Sequence, residues 1–157
     1  MRTSKKLGFT DKETSKIVEA MNKLLANYHV HYQKLRNYHW NVIGHDFFEL
    51  HEYFEEEYNQ VKLNIDEIAE RIRVFGKIPM STLKEYLEHS EIVETGTDLK
   101  SDAMAKEILR DFEILLSYMV DVISAAEEIG DSATDDLITG FAQRMEKRHW
   151  MLTAFVS

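Results

Sequence analysis

An all-α fold is predicted by three observations. The 157 residues include one proline and six glycines, too few to punctuate a set of strands with turns. Apolar residues recur at helical spacing through four long stretches. Glycines at Gly44, Gly76 and Gly130 fall where those stretches stop.

The elements follow in order. Residues 1–10 read as a flexible basic tail, with Arg2, Lys5 and Lys6 ahead of a helix-capping Asp11, and residues 11–157 as a single domain. From Asp11, the positions Ile17, Met21, Leu24, Leu25, Tyr28, Tyr32 and Leu35 give a first helix to about Trp40, about 40 Å long at ~1.5 Å per residue. Gly44 breaks it, with Asp46 as cap for the next. The second helix places Phe47, Leu50, Phe54, Tyr58, Val61, Ile65, Ile68 and Ile72 on one side and stops in the stretch from Gly76 to Pro79. Between residues 77 and 100 only "STLKEYLEHS" reads as helix, and it is short. The third helix starts near Ser101, carries Ile108, Phe112, Leu115, Met119, Val122 and Ala126, and ends at Gly130. The fourth opens near Asp131 or Ser132 and runs through Leu137, Phe141, Met145 and Leu152.

Two hairpins of similar length, joined by one long link, predict a four-helix bundle whose middle connection travels the bundle's length. About 12 extended residues cover 40 Å, so the link is ample. That topology is the ferritin-like one, with a short extra helix in the crossover between helices two and three.

Composition narrows the chemistry. Cysteine is absent, which excludes disulfides, thiolate nucleophiles and cysteine-held metals, so any metal must be held by histidine and carboxylate. No apolar run is long enough for a membrane span and no signal-peptide core follows the N-terminus, which sets a cytoplasmic expectation with no membrane partner. A net charge of −9 argues against a nucleic-acid face spread over the body. The basic tail can be a solvated end or a phosphate-contacting arm, which makes DNA a possible, weak partner.

An intrachain di-iron site of the usual ferritin kind needs two Glu-x-x-His pairs. Glu146 to His149 is the one such pair, and it lies among cations near the end of the last helix, where they complement the helix dipole. The stronger candidates lie on or beside the second helix. His51 and Glu55 share a face, as do Asp66 and Glu70, and His39 stands just across the Gly44 turn. His51 and Asp66 are fifteen positions apart on one helix, about 22 Å, too far to bind one ion within a chain. Either these are unrelated half-sites, or two subunits pair across a two-fold axis and join the histidine half of one to the carboxylate half of the other. Solvation of this acidic face, and pairing of Asp66 and Glu70 with Arg71 or Arg73, are the bland alternatives.

The stretch "HWNVIGHDFFELHEYFEEEYNQVKLNIDEIAERI", with "IPMSTLKEYLE" and "HWMLTAF", resembles the Dps family, the DNA-binding proteins from starved cells or miniferritins. The resemblance implies a homo-oligomer of twelve subunits that oxidises iron(II), preferentially with hydrogen peroxide, and stores the iron(III) mineral. It implies a di-iron ferroxidase centre at the two-fold interface, in which zinc or other divalent ions can substitute. By position, His39 and His51 come from one subunit and Asp66 and Glu70 from its partner; Glu55 falls where the family usually has aspartate. The resemblance implies that Trp40 lies near the metals and absorbs stray oxidising equivalents; an ordinary packed aromatic is the alternative. Glu127, Asp131 and Asp136 fall where the family builds an acidic iron-entry pore, although Asp131 or Ser132 can instead cap the fourth helix and Asp135 can replace Asp136. Trp150 reads as packing. A mainly structural, DNA-compacting role through the tail, with nucleoid association, is the competing function, and direct peroxide dismutation by the same bundle is a third.

Overall fold

A computed structural model describes residues 8–157. Its five helices run in the order α1 (Asp11–Asn41), α2 (Phe47–Val74), α3 (Leu83–His89), α4 (Ser101–Ile129) and α5 (Ser132–Val156). The four long helices form the expected bundle. α1 pairs antiparallel with α2, α4 with α5, and α1 also packs on α4.

Local chemistry sets the ends. Thr10, not Asp11, is the N-cap of α1: its hydroxyl accepts from the Glu13 amide at 3.2 Å, and its own amide donates to Glu13 Oε2 at 2.7 Å. This reciprocal box satisfies two of the helix's orphan donors. Phe9, one residue earlier, is buried edge-on against Phe75. Phe9 and Thr10 therefore belong to the folded body, not to the tail; Arg2, Lys5 and Lys6 lie outside the described residues. The same box, Thr82 with Glu85, starts α3.

Asp46 does occupy the N-cap position of α2, but it makes no side-chain capping bond. Its backbone (φ −99°, ψ 19°) lies outside the extended region from which a cap side chain reaches back to the first turn. Gly44 turns the chain at φ +120°, and Gly130, at φ +71°, closes α4 with a left-handed residue.

The apolar stripes meet in a core that includes Leu24, Tyr28, Leu35, Phe54, Ile68, Phe112 and Met119, all fully buried. Each such side chain contributes about 1.5–3 kcal/mol of transfer free energy. Two buried ion clusters fasten the helices as well. Between α1 and α4, Lys34 Nζ donates to Asp111 Oδ1 at 2.9 Å and Glu107 Oε2 at 3.2 Å, while His31 Nδ1 donates to Asp111 Oδ2 at 3.0 Å. Between α2 and α5, Glu57 accepts from Arg144 at 3.1 Å and from Arg148 Nε.

Several α1 side chains hold the crossover: Asn22 accepts from the Met80 amide, Asn37 donates to the Gly96 carbonyl, and Tyr38 bonds Thr95. Buried Asn27 Oδ1 accepts from the Ser90 hydroxyl and from the amides of Glu91 and Ile92. The long link is thereby anchored along the α1 surface, and α3 packs on α1.

Candidate metal centre

The turn between α1 and α2 brings His39, in the last turn of α1, against His51, in the second turn of α2. The two imidazoles stack with centroids 3.8 Å apart and planes 14° from parallel. Their hydrogen bonds are reciprocal: His39 Nδ1 donates to the His51 carbonyl at 2.7 Å, and His51 Nδ1 donates to the His39 carbonyl at 2.7 Å. A carbonyl can only accept, so the proton of each neutral ring is on Nδ1 and the lone pair on Nε2. Both rings thus keep Nε2 free to bind a metal, and each is oriented by the other's backbone. The His39 carbonyl is among those a helix C-terminus leaves without an intrahelical donor, so the bond serves the fold too.

Glu55 is exposed one turn beyond His51 on α2. Asp66 and Glu70 are exposed farther along the same uninterrupted helix. Among the described residues neither has an ion-pair or hydrogen-bond partner. Arg71 and Arg73 are engaged elsewhere: Arg71 donates to Asp131 Oδ1 and Thr134 Oγ1, each at 2.9 Å, and Arg73 to the Lys77 carbonyl at 3.0 Å. The chain thus brings the histidines together and leaves both carboxylates unneutralised and distant along α2, Asp66 about 22 Å and Glu70 about 28 Å from His51. Among the described residues no three histidine, aspartate or glutamate side chains converge as a metal set.

The bundle interior holds carboxylates that are already neutralised. Asp111 faces Lys34, and Glu57 faces two arginines. A buried cation beside them would meet fixed positive charge. Glu146 is exposed, and His149 Nε2 lies 3.2 Å from Glu113 Oε1 instead.

At the junction of α4 and α5, Asp131 takes the capping alternative. It is buried, accepts from the Thr134 amide at 3.2 Å and from the Thr134 hydroxyl, and pairs with Arg71. Asp135 accepts from Thr139 Oγ1 at 2.9 Å, whereas Glu127 and Asp136 point to solvent. Trp40 is 57 % exposed with Arg36 over its ring, and Trp150, read as a packed side chain, is 67 % exposed in the chain.

The ferritin-like domain family matches residues 18–157. The chain is 41 % identical over 141 residues to DNA protection during starvation protein 2 of Bacillus anthracis, covering 90 % of this chain and 97 % of that one. The chain belongs to the ferritin-like family, in its Dps branch. General stress protein 20U of Bacillus subtilis is 38 % identical, covering 91 % of this chain and 99 % of its own length. The crystal structure of the Dps protein of Vibrio cholerae O1, described as a ferritin-like diiron-carboxylate protein, superposes with a TM-score of 0.93 at 38 % identity, covering 96 % and 95 % of the two chains.

Two features of this Dps chain escaped sequence reasoning. The α1–α4 ion cluster joins residues some eighty positions apart, which no local pattern reveals. Tyr58 stands edge-on to His39, with centroids 5.4 Å apart, and Tyr32 edge-on to Tyr58 at 6.1 Å. Both tyrosines read only as apolar positions. The available signal was symmetry about the turn: Tyr32 lies seven residues before His39 and Tyr58 seven after His51, so an antiparallel hairpin that pairs the histidines also pairs the tyrosines.

Proposed function

We propose that this chain oxidises iron(II), preferentially with hydrogen peroxide, at sites shared between two-fold-paired subunits, and stores the iron(III) in a shell of twelve. The observation that carries the reading is the pre-set histidine pair on a helix whose free carboxylates cannot reach it. One subunit supplies His39 and His51 as neutral nitrogen donors, and its partner supplies Asp66 and Glu70. The donor set fits iron: imidazole suits iron(II), and hard carboxylate oxygens favour iron(III) and offset its extra charge. Glu55, one methylene longer than the usual aspartate, serves as an additional oxygen donor or holds a neighbour of the metal. Exposed Glu127 and Asp136 form an acidic entry path that attracts the cation substrate, while Asp131 holds the turn that presents them.

Complementation between chains tests the shared site. A chain with His39→Ala and His51→Ala and a chain with Asp66→Asn and Glu70→Gln should each fail to oxidise iron(II) with peroxide. In a mixed two-fold pair, one of the two sites regains all four native ligands. Co-assembled variants should therefore recover about a quarter of the sites with random pairing. Activity in either variant alone, or no recovery in the mixture, would refute the assignment.

The second reading, DNA binding, is favoured by one observation, the clustered Arg2, Lys5 and Lys6 on a chain of net charge −9. Several tails on one shell act together and raise a weak phosphate affinity.

A further inference from the structure

The stripe of α2 that carries the candidate ligands also carries a lysine. At about 100° per residue, His51, Glu55, Asp66 and Glu70 fall within a band about 100° wide, and Lys62 lies inside that band, two turns beyond Glu55 and one turn before Asp66. Lys62 and Glu55 are both exposed, and among the described residues neither has a hydrogen-bond or ion-pair partner. Lys16, Lys34, Lys77 and Lys106, by contrast, each reach a carboxylate within their own chain. Arg36, which shares the surroundings of Tyr58 with Glu55, is held over the rings of Tyr32 and Trp40 and forms no ion pair with Glu55 among the described residues. Within the chain, seven positions separate Lys62 from Glu55, about 10 Å, beyond the three- and four-residue spacings at which helix side chains meet.

A two-fold operator fixes what Lys62 meets in a pair of chains. Residues opposite one another on antiparallel α2 helices exchange in register, so each pairing dictates the rest. Placing His51 opposite the partner's Asp66 sets Lys62 opposite position 55; placing it opposite the partner's Glu70 sets Lys62 opposite position 59. Of the acids between those positions, Glu56 pairs with Arg148, and Glu57 is buried against Arg144 and Arg148. Glu55 is the unpaired carboxylate on the stripe.

We infer that Lys62 is the internal counter-ion of the shared site: its ammonium pairs with Glu55 of the partner subunit while no metal is bound, and yields that carboxylate to an arriving cation. The inference rests on the proposed two-fold ferroxidase site. Each site then holds Glu55 from one chain and Lys62, Asp66 and Glu70 from the other, three carboxylates and one ammonium beside two neutral imidazoles. Without Lys62 the empty site gathers three like charges whose repulsion opposes subunit pairing. With it, the interface closes before metal arrives. The same ammonium stands one to two turns from the carboxylates that receive the metal, so it also holds the affinity for a divalent cation down. Symmetry repeats the contact, and every two-fold interface carries two such bridges.

Charge exchange in metal-free protein tests the pair. Chelator-treated assemblies are dissociated with urea and followed by light scattering. Lys62→Glu and Glu55→Lys should each lower the urea concentration at which subunits separate, and the double variant carrying both should restore it. Glu146→Lys in the Lys62→Glu background restores the same net charge at an exposed position of α5 and should not rescue pairing. Zinc, added alone as the probe, should bind Lys62→Met about tenfold more tightly than the unaltered chain, whereas Lys62→Arg should match the unaltered chain. No rescue in the exchanged double variant, equal rescue by Glu146→Lys, or unchanged zinc affinity in Lys62→Met overturns the inference. Complementation between the histidine and carboxylate variants without charge rescue leaves the two-fold reading standing and removes Lys62 from it; failure of that complementation ends both. Helical circular dichroism of each variant before urea separates lost pairing from misfolding.

Discussion

Single side chains in this molecule are set by partners far away in sequence. Lys34 is buried between Asp111 and Glu107, so Lys34→Met should leave negative charge without its counter-ion and destabilise the chain by about 3 kcal/mol, read from denaturant unfolding. His29 stacks on Tyr86 at 3.7 Å, and burial pushes its imidazole from the ordinary 6.5 down to about 4. Between those values the unfolded chain takes up a proton that the folded chain refuses. This residue's contribution therefore makes stability fall as pH drops from 6.5 towards 4 and stay level above 6.5. Replacing His29 by Phe should flatten that part of the unfolding-midpoint curve against pH; an unchanged slope would place the proton uptake elsewhere. Of the proposed site residues, His39 and His51 stood out from their spacing around a glycine turn and Asp66 and Glu70 from their shared helical face, but only the resemblance to the Dps family singled out all four as ligands. Tyr58 was not legible as a neighbour of His39, because its place depends on the register of α1 against α2. Asp131 allowed two readings in sequence, since a helix cap and a pore carboxylate use the same residue type; its burial against Arg71 separates them.

At the scale of the element, helix boundaries were the most readable part of the chain, because glycine and proline are scarce and Gly44, Gly76 and Gly130 each fall at a helix end, although Gly140 lies inside α5. Gly130 shows why such stops are strict. A methyl group added there would meet nothing within 4 Å, so space is no obstacle, yet the residue sits at φ +71°. Gly130→Ala should cost about 1–2 kcal/mol through backbone strain alone, measured as a lower unfolding midpoint with an unchanged denaturant slope. The start of α1 was less readable. Asp11 and Thr10 are both good capping residues, and only the reciprocal contact with Glu13 tells them apart. The missing cap at Asp46 is likewise a matter of backbone angle and not of residue type.

For the whole molecule, the boundary between tail and body sets how the DNA reading must be tested. Removal of ten residues would take Phe9 from the core and Thr10 from its cap, so the informative deletion stops at Leu7. That shortened chain should lose mobility-shift binding to duplex DNA at low salt and keep its melting temperature; binding that survives would lie on the body. Charge removal at Asp136, as Asp136→Asn, should slow iron uptake at high load and leave oxidation at low load unaltered. The histidine pair has a consequence for the proton inventory of a filling shell. Metal binding usually expels protons from its ligands. Here each neutral imidazole keeps its proton on Nδ1, committed to a carbonyl, and offers a nitrogen that is already bare. Once both rings are neutral, iron(II) docking on them displaces no hydrogen ion, and acid released during loading would come from hydrolysis of the iron(III) product. A pH-stat trace would then be a clock for mineral growth, blind to the arrival of the metal.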